Sequence, residues 1–479
     1  MTRSIREFRG LAADSRDVKP GFLFAALTGS KADGARFIAD AVTRGAVAVL
    51  GGPEAAEQAK KLGVDFISAA NPRRRLAEFA AEFYRAQPSV VAAVTGTNGK
   101  TSVAAFVRQI WSFQGRKSAS LGTIGIDSPS GHVSLGHTTP DPVRLHAELA
   151  RLKKEGVEHL AMEASSHGLD QYRLDGVRIS AAGFTNITRD HLDYHVSFEN
   201  YLAAKLRLFG ELVVDGGVAV INADAAHAEE FVAAAERRHL RLLTIGASGK
   251  DLRLIAQAPH ARGQAITLRY KAREYRIALP LAGFFQASNA LVAAALTLGL
   301  GDPAEEVFAA LENLRGAPGR LELVARTRHG AAIYVDYAHT PDAVETVLKA
   351  LRPHVKGRLH IVFGCGGDRD RGKRPLMGQA ATCYADAVIV TDDNPRTENA
   401  ALIRREALAG APGAREIAGR AEALRQAVAA LGAGDALVIA GKGHEDYQII
   451  GTEVLPFSDR DEAIKAAQAL GGMVADNAA

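Results

Sequence analysis

The sequence is poor in cysteine, because its 479 residues include only Cys365 and Cys383. Two thiols exclude a scaffold built from disulfides, which needs several cysteine pairs in a short chain. Neither cysteine belongs to a CxxC or Cys/His pattern with the spacing of metal ligands. We therefore expect reduced thiols and a cytoplasmic protein.

A long apolar segment is also lacking. The first nine residues carry charges but no apolar run, so they predict no signal peptide. Residues Ile277–Gly301 carry no charge, yet their proline and glycines restrict the predicted helix to Ala287–Leu300. A membrane span needs about 20 residues, so we expect a buried helix and no span.

The chain also has little net charge. Lysine and arginine exceed aspartate and glutamate by 58 − 54 = +4, which does not predict a nucleic-acid-binding protein. A hydrophobic fraction of 47% and a charged fraction of 23% exclude a disordered or collagen-like chain. At roughly 150 residues per domain, the length predicts about three domains.

Short apolar runs alternate with helix-length segments along the chain, which predicts an α/β fold. We expect a linker at Gln87–Ser89, where proline breaks the preceding helix, and a second boundary in the turn-rich segment Leu314–Arg320. The predicted domains are therefore residues 1–88, 89–318 and 319–479.

The last of these domains has the pattern of a doubly wound sheet, in which ligands meet the loops at the carboxyl ends of the strands. Its predicted strands are Ala331–Asp336, Leu359–Gly364, Ala387–Thr391 and Ala436–Ala440.

The clearest chemical motif is Thr95–Ser102, with the sequence TGTNGKTS, directly after the predicted strand Val90–Thr95. A glycine-rich turn that enters a helix points backbone N–H groups at phosphate. Lys100 would reach the terminal phosphates and Thr101 would hold Mg²⁺ through its hydroxyl. Val94 stands where the strict P-loop pattern has glycine, so the loop is a variant. A plain glycine turn with an exposed lysine is the alternative.

Two more polar segments follow predicted strands in the middle third. Glu163, in Met162–Gly168, could hold Mg²⁺, which takes one or two protein carboxylates besides phosphate oxygens. The alternative is an ordinary acidic residue at a helix start. The segment Thr188–His195 has two aspartates and two histidines, which suit metal binding or substrate contact and equally suit a hydrogen-bonded loop.

Three loops that follow strands of the last domain are Gly364–Arg374, Thr391–Arg396 and Ala440–Glu445. Loops in this position can converge on one crevice. Arg369 and Arg396 suit a carboxylate ligand, because guanidinium binds it with two hydrogen bonds. Asp393 and Glu445 suit an ammonium group, so the loops together would bind a zwitterionic amino acid. A capped turn with a surface ion pair is the alternative for each loop alone.

The segments that carry a family resemblance are, in order, Thr95–Ser102, Met162–Gly168, Asp336–Asp342, Asp393–Arg396 and Gly441–Glu445. In this order they resemble the Mur ligases, and the resemblance runs from Asp14 to Arg460. The Asp-Asn-Pro-Arg tetrad is similar to that of members that add meso-2,6-diaminopimelate to UDP-N-acetylmuramoyl-L-alanyl-D-glutamate in peptidoglycan precursor synthesis. The resemblance implies an N-terminal domain for the UDP end, a central P-loop-type ATPase domain and a C-terminal Rossmann-like domain for the amino acid.

The resemblance also implies site residues. ATP would contact Gly96, Thr97, Asn98, Gly99, Lys100, Thr101, Ser102, Asn289, Arg320 and Asp336. The UDP-muramoyl-dipeptide would contact Ser15, Ser30, Lys31, Ala32, Thr138, Thr139, Ser165, Gln171 and Arg173. Diaminopimelate would contact Arg369, Asp393, Asn394, Pro395, Arg396, Gly441 and Glu445. Mg²⁺ would be held by Thr101, Glu163, His191 and Lys205, the last as a carbamate. Lys100, Lys205 and His191 would serve catalysis.

The implied reaction consumes ATP, forms an acyl phosphate and ends in an amide bond, and we expect a monomer. Lysine-adding Mur ligases usually lack the arginine at position 396, so that residue favours diaminopimelate. The alternatives are a lysine-adding ligase, a ligase similar to folylpolyglutamate synthase, and a non-catalytic nucleotide-binding protein. An intact Lys100, Thr101 and Glu163 argue against the last.

Overall fold

The structure is a computed structural model that describes residues 5–29 and 33–475. It divides into two compact units, each assembled from two separate stretches of chain. The first unit contains the described residues up to Arg253 together with Leu291–Val307, and the second contains Leu254–Ala290 and the described residues from Phe308 onward. Both units combine helices with sheets, so the predicted α/β class is confirmed. The predicted domain limits stay predictions.

The first unit begins with a four-stranded parallel sheet in the order β1-β2-β3-β4. Its elements are β1 (Gly10–Ala12), β2 (Phe22–Ala25), α1 (Ile38–Thr43), β3 (Ala46–Gly51), α2 (Ala56–Lys61), β4 (Asp65–Ser68) and α3 (Pro72–Tyr84). Leu23 and Leu50 of the strands pack against Leu76 and Ala80 of α3. These apolar side chains form one small hydrophobic core between the sheet and α3.

A larger sheet follows in the same unit. Its strands are β5 (Val90–Thr95), β6 (Ser118–Gly122), β7 (Gly125–Ser128), β8 (Gly131–Val133), β9 (His159–Glu163), β10 (Ile179–Phe184), β11 (Val213–Asn222) and β12 (Arg241–Gly246). Its helices are α4 (Lys100–Phe113), α5 (Pro142–Lys154), α6 (Ser166–Asp170), α7 (Leu192–His195), α8 (Phe198–Arg207) and α9 (Ala228–Arg237). The strand order is β12-β11-β10-β5-β9-β6-β7-β8.

The strands from β12 to β6 in this order are parallel, and only the edge strands β7 and β8 run antiparallel. Strands of a parallel sheet are covered on both faces and therefore read as continuous apolar runs, as in β5. In register, Val94 pairs with Glu163 and Thr95 pairs with Phe184. The carboxyl ends of β5, β9 and β10 therefore lie side by side.

Five elements continue the chain: β13 (Leu252–His260), β14 (Gly263–Tyr270), β15 (Arg273–Leu279), α10 (Phe284–Gly299) and α11 (Ala304–Leu311). Strand β13 pairs with β12 at Leu252 and Arg253, and β14 and β15 form an antiparallel pair. Helix α10 is the buried helix that the charge-free segment predicts. Among the described residues, no helix combines the length and apolarity needed to cross a membrane.

The second unit contains a seven-stranded sheet in the order β20-β19-β18-β21-β17-β16-β24. Its elements are β16 (Glu322–Arg326), β17 (Ala332–Asp336), α12 (Pro341–Leu351), β18 (Leu359–Cys365), α13 (Lys373–Tyr384), β19 (Ala387–Asp392), α14 (Ala400–Leu408), β20 (Arg415–Glu416), α15 (Arg420–Ala429), β21 (Ala436–Ala440), α16 (Asp459–Ala469) and β24 (Met473–Val474). A separate hairpin consists of β22 (Tyr447–Ile450) and β23 (Glu453–Pro456).

Helices cover both faces of this sheet. Phe363 of β18 lies in one core with Leu348 of α12 and Met377 of α13, whereas its neighbour Val362 lies in another core with Leu424 of α15. Strands β20 to β17 are parallel, and β16 and β24 extend the sheet antiparallel. The predicted doubly wound, Rossmann-like arrangement is therefore confirmed, with its loops at the carboxyl edge of the parallel strands.

Candidate active site

The phosphate-loop motif connects β5 to α4 through a turn of four residues. Gly96 has φ +151°, and a Cβ there would come within 1.9 Å of Thr185 Oγ1. Gly99 has φ +89° and caps α4. Glycine is required at Gly96 because the backbone approaches its neighbour so closely. The start of α4 then presents the N–H groups of a helix N-terminus, a favourable place for phosphate.

The end of β10 fixes the shape of this loop. The Thr97 N–H donates to the Asn186 carbonyl at 2.9 Å, and the Asn98 N–H donates to Asn186 Oδ1 at 3.0 Å. Thr185 Oγ1 donates to the Asn98 carbonyl at 2.6 Å. The loop is thus held by amides and hydroxyls, without a carboxylate in these contacts.

Two lysines approach the same turn. Lys100 Nζ donates to the carbonyls of Gly96 and Thr97, both at 2.8 Å, and Lys205 Nζ donates to the Gly96 carbonyl at 2.8 Å. Lys205, on α8, is 1% exposed, and its Nζ lies 4.5 Å from the centre of the Tyr201 ring. Burial, aided by the Lys100 charge, holds the Lys205 pKa well below its usual range. Lys100 therefore supplies the positive charge that suits a polyphosphate, whereas burial favours the neutral form of Lys205.

Glu163 ends β9 and is 1% exposed. Its Oε1 accepts from the Thr123 N–H at 2.8 Å and its Oε2 from the Thr123 hydroxyl at 3.1 Å. The same hydroxyl contacts Thr138 Oγ1 at 2.9 Å. The register pair Val94–Glu163 places this carboxylate beside the start of the phosphate loop, and the Thr101 hydroxyl is also buried.

These oxygens fit Mg²⁺, which prefers hard oxygen ligands and takes its remaining positions from water and substrate phosphates. The described part of the chain has no group of three or more His, Cys, Asp or Glu side chains arranged to hold a metal ion. A nucleotide-bound ion does not need such a group. Thr101 and Glu163 are therefore the side chains whose chemistry suits the ion.

His191 lies in a group of aromatic rings formed by His167, His191, Tyr194, His195 and Tyr201. Its backbone is left-handed, with φ 52°, and its Nε2 lies 3.6 Å from Asp190 Oδ2. Burial, with the neighbouring imidazoles, lowers the His167 pKa to about 4. Imidazole nitrogen is a softer ligand than Mg²⁺ prefers, so the metal role of His191 stays a prediction.

Four predicted contacts of the dipeptide form one hydrogen-bonded group, Thr139, Ser165, Gln171 and Arg173, whereas the Thr138 hydroxyl contacts Thr123. Arg173 Nη1 donates to the Thr139 carbonyl at 2.6 Å, and its Nη2 donates to Gln171 Oε1 at 2.7 Å. Ser165 Oγ donates to Thr139 Oγ1 at 3.0 Å. Arg173 is thereby fixed as a partly buried guanidinium, suited to a carboxylate.

The predicted contacts of the UDP end are only partly described. Ser15 begins a short 3₁₀ turn, Ser15–Asp17, that Asp14 caps, and it is buried. Ser30, Lys31 and Ala32 lie outside the described residues.

Three residues predicted to contact ATP lie in the second unit. Asn289 Nδ2 donates to Gln286 Oε1 at 3.0 Å, and Gln286 Nε2 donates to the Arg320 carbonyl at 3.2 Å. Asp336 ends β17, and its Oδ2 accepts from the Leu321 N–H at 2.6 Å. Burial raises the pKa of Asp336, although the nearby Arg320 opposes that shift. Backbone contacts thus hold Asp336 next to the turn that carries Arg320.

The three predicted amino-acid loops meet at the carboxyl edge of the second unit's sheet. The Gly367 N–H donates to the Asn394 carbonyl at 2.9 Å, and Arg396 Nη1 donates to the Gly367 carbonyl at 2.8 Å. Asn394 Nδ2 donates to Glu445 Oε2 at 3.1 Å. The convergence expected from the strand positions is present, and Arg369 is exposed on the first loop.

Local backbone features orient these groups. Arg396 has φ 52°, and its N–H donates to the Ile449 carbonyl of β22 at 3.1 Å. Asp393 Oδ1 accepts from the Asn394 N–H at 2.7 Å. A Cβ at Gly441, where φ is +119°, would lie 2.6 Å from Asp393 Oδ2. Glycine at this position therefore leaves room for the Asp393 carboxylate.

The structure adds site residues that the sequence did not reveal. Asn186 supports the phosphate loop, and Tyr201 OH contacts Thr97 Oγ1 at 2.9 Å. Lys442 is fully buried and hydrogen-bonded between Asn394 and Glu445. A signal existed only for Lys442, a lysine between two glycines at a strand end. The roles of the other two depend on contacts with residues 88 and 104 positions away in the chain.

Comparison with known proteins gives consistent matches along the chain. Residues 7–84 match the Mur ligase family catalytic domain, residues 94–297 the Mur ligase middle domain, and residues 319–443 the Mur ligase glutamate ligase domain. A protein of Bradyrhizobium diazoefficiens named UDP-N-acetylmuramoyl-L-alanyl-D-glutamate–2,6-diaminopimelate ligase is 57% identical, over 97% of this chain and 95% of its own.

Two solved structures extend the comparison. A structure of UDP-N-acetylmuramoyl-L-alanyl-D-glutamate–2,6-diaminopimelate ligase has a TM-score of 0.73 at 37% identity, covering 97% of this chain and 95% of that one. The MurF ligase of Thermotoga maritima in complex with ADP has a TM-score of 0.62 at 16% identity, covering 98% and 99%. The second likeness concerns the fold alone.

Proposed function

The chain belongs to the Mur ligase family, and from that premise we propose that it joins meso-2,6-diaminopimelate to UDP-N-acetylmuramoyl-L-alanyl-D-glutamate at the expense of ATP. The product is a precursor of peptidoglycan. The protein acts as a cytoplasmic monomer, and its partners are these three small molecules.

The observation that carries the choice of amino acid is the meeting of the three loops in the second unit. Arg396 and Arg369 supply guanidinium groups, and Asp393 and Glu445 supply carboxylates, around Asn394. Diaminopimelate carries an amino-acid group at each end, so it needs both signs of charge in fixed places. L-lysine has no second carboxylate for a second guanidinium to bind.

The first chemical step is the transfer of the ATP γ-phosphoryl group to the free γ-carboxylate of the substrate's D-glutamate. A carboxylate oxygen attacks phosphorus, the bond to the β,γ-bridging oxygen breaks, and ADP leaves. Phosphoryl transfer depends on positioning and on neutralising charge. In this chain the α4 N-terminus and Lys100 bind the phosphates, and Arg173 binds the substrate anion.

The second step makes the amide. The amine of diaminopimelate attacks the carbonyl carbon of the acyl phosphate, and the tetrahedral intermediate expels inorganic phosphate. The attacking amine must be neutral, so the ammonium gives one proton to water before the attack, and the proton that nitrogen loses when the amide forms leaves with the phosphate. Holding both reactants in place replaces an unfavourable encounter in solution.

Mg²⁺, when bound through Thr101 and Glu163, would neutralise charge on the transferring phosphates. The carbamate predicted at Lys205 requires the free amine, and burial favours that form of this lysine. Intact-mass measurement of the purified protein would reveal the added CO₂. An unmodified Lys205 would instead act as a buried amine that donates a hydrogen bond to the Gly96 carbonyl.

Phosphate release by the purified protein tests the proposal. We expect ATP, Mg²⁺ and the UDP-muramoyl-dipeptide to support turnover when meso-diaminopimelate is added, and not with L-lysine. Turnover with L-lysine alone would establish the lysine-adding alternative, and turnover with L-glutamate and a folate would establish the folylpolyglutamate alternative. ATP binding without turnover on any substrate would establish a non-catalytic protein.

Substitution of Arg396 tests the amino-acid site itself. Arg396→Ala removes a charge-assisted contact worth roughly 1.5–3 kcal/mol, so the KM for diaminopimelate should rise about 10- to 100-fold while the KM for ATP stays unchanged. The matched control is Arg405→Ala, an exposed arginine on α14 of the same unit. An unchanged KM for diaminopimelate in Arg396→Ala would contradict the assignment.

A further inference from the structure

Lys442 is a lysine without solvent exposure at the edge of the amino-acid site. It follows the end of β21 and lies between Gly441 and Gly443, whose φ angles are +119° and +55°. Lysine is almost never fully buried unless it is paired, because an unpaired ammonium is costly to remove from water. Its burial here therefore calls for a reason.

The reason lies in a closed triangle of polar contacts. Lys442 Nζ donates to Asn394 Oδ1 at 3.0 Å and to Glu445 Oε2 at 3.3 Å. Asn394 Nδ2 donates to the same Glu445 oxygen at 3.1 Å. The buried ammonium thus contacts two residues of the amino-acid site and fixes which end of the Asn394 amide faces Glu445.

We propose that Lys442 is the positioning residue of the amino-acid site, and that it sets the affinity for the incoming amino acid by orienting the Glu445 carboxylate and the Asn394 amide. This inference rests on the proposed function, because it assigns Glu445 to the ammonium of that substrate. Lys442 has no exposed surface, so it acts on the ligand through the side chains that it contacts. A fixed carboxylate binds an ammonium group better than a mobile one, because less rotational freedom is lost on binding.

If the Lys442 ammonium is removed by substitution, Asn394 and Glu445 still keep other hydrogen bonds. Asn394 Oδ1 also accepts from the Ile449 N–H at 3.0 Å, and Glu445 Oε2 keeps its contact with Asn394 Nδ2. Methionine has nearly the length of the lysine side chain without its charge. Lys442→Met should therefore fold, and its effect should concern the orientation of Glu445.

The experiment compares Michaelis constants in the complete phosphate-release assay. In Lys442→Met we expect the KM for meso-diaminopimelate to rise roughly 10- to 100-fold, as for the loss of a charge-assisted hydrogen bond. The KM for ATP and for the UDP-muramoyl-dipeptide should stay within about twofold, since Lys442, Asn394 and Glu445 are not among the residues predicted to contact those substrates. Lys442→Gln provides the same comparison if the methionine variant does not fold.

Lys465→Met is the matched control. Lys465 on α16 pairs with Glu462, also three residues away, at 2.9 Å, but its side chain is 70% exposed. Exposed pairs contribute little, so this variant should keep all three Michaelis constants. A comparable rise in the control would overturn the proposal, because it would show that any lost lysine–glutamate pair in this unit has the same effect.

A double substitution separates positioning from a general structural role. Because Lys442 acts through Glu445 and Asn394, Lys442→Met combined with Glu445→Gln should raise the KM for diaminopimelate by clearly less than the product of the two single effects. Additive effects, or an unchanged KM in the single variants, would overturn the proposal. Absence of turnover in the wild type would instead refute the proposed function, so the two failures are distinguishable.

Discussion

Lys205 and His146 of the first unit and Arg420 of the second unit show two ways in which a buried ionisable group is accommodated. In the first unit, burial lowers the pKa of Lys205 well below its usual range and lowers the pKa of His146 to about 4, which favours their neutral forms. In the second unit, Arg420 and Asp459 have no exposed side-chain surface and form an ion pair at 2.6 Å. Burial thus favours the neutral forms of Lys205 and His146, whereas Arg420 is buried as one partner of an ion pair.

The paired charges of the second unit surround the amino-acid loops. Arg374 has no exposed surface and donates to Glu398 at 2.8 Å and to Glu406 at 2.6 Å. Glu398 accepts hydrogen bonds from Arg374 and from the Asp368 N–H, and these two bonds lower the Glu398 pKa to about 2. Arg420 also donates to the Ala440 carbonyl at 2.8 Å, at the start of the third loop. Ion pairs between fully charged side chains therefore hold these loops in place.

The proposed ligands account for this difference. A phosphate site must offer positive charge, so amides and hydroxyls such as those of Asn186 and Thr185 support its loop without cancelling that charge. A zwitterion site must present both signs in a fixed arrangement, and ion pairs behind the loops supply that order. The predictions below test this contrast, starting with the largest effect.

Removal of the phosphate-site cation should have the largest effect. Lys100→Ala should lower kcat roughly 10³-fold or more, because charge on the transferring phosphoryl group is no longer neutralised. Steady-state phosphate release measures it. The control is Lys117→Ala, an exposed lysine of the same unit, which should retain full activity. An equal loss of kcat in Lys100→Ala and Lys117→Ala would show that Lys100 has no special role at the phosphate loop.

Breaking the buried pair of the second unit should cost stability. Asp459→Asn leaves the Arg420 charge uncompensated in the interior, so we expect the free energy of unfolding to fall by about 3–5 kcal/mol. Urea denaturation measures it. Asp461→Asn, on the same helix with a side chain 60% exposed, should cost less than about 1 kcal/mol. If Asp459→Asn also lowered the free energy of unfolding by less than about 1 kcal/mol, the buried ion pair would not stabilise the second unit.

The lowered pKa of the buried His146 predicts that the stability of the folded protein depends on pH. Between about pH 6.5 and pH 4 the unfolded chain protonates this histidine and the folded chain does not, so stability falls as pH falls through that range. The His146 share is roughly 3 kcal/mol. His146→Gln should lose that share of the pH slope in denaturation curves, and His137→Gln, at an exposed position, should keep the wild-type slope. Identical slopes in both variants would contradict the assignment.

The smallest effect is expected from the hydroxyl that supports the phosphate loop. Burial raises the pKa of Tyr201 to about 12, so its OH stays protonated beside Thr97. Tyr201→Phe removes that contact and keeps the ring beside Lys205, so binding of ATP should weaken by about 0.5–1.5 kcal/mol. Titration calorimetry with ATP measures it, with diaminopimelate binding as the control. Unchanged ATP affinity would show that Asn186 and Thr185 hold the loop without the Tyr201 hydroxyl.

Local sequence predicted much of the fold and of the site. The turn Gly96–Gly99 and the strands β17, β18, β19 and β21 were predictable, because apolar runs and glycine-rich turns depend on neighbouring residues. Their common carboxyl edge then predicted that the three amino-acid loops converge. The burial of Lys205 and Lys442 was not predictable, since each depends on side chains brought in by distant segments. The two compact units were also missed, because each combines two separate stretches of chain.

The most direct test is the mass of the product formed in competition. Purified protein would be given ATP, Mg²⁺ and the UDP-muramoyl-dipeptide with meso-diaminopimelate and L-lysine at equal concentration. We predict a single new product with the mass of the diaminopimelate adduct, together with one phosphate released for each product. A lysine adduct, or ATP consumption without any adduct, would contradict the proposed activity.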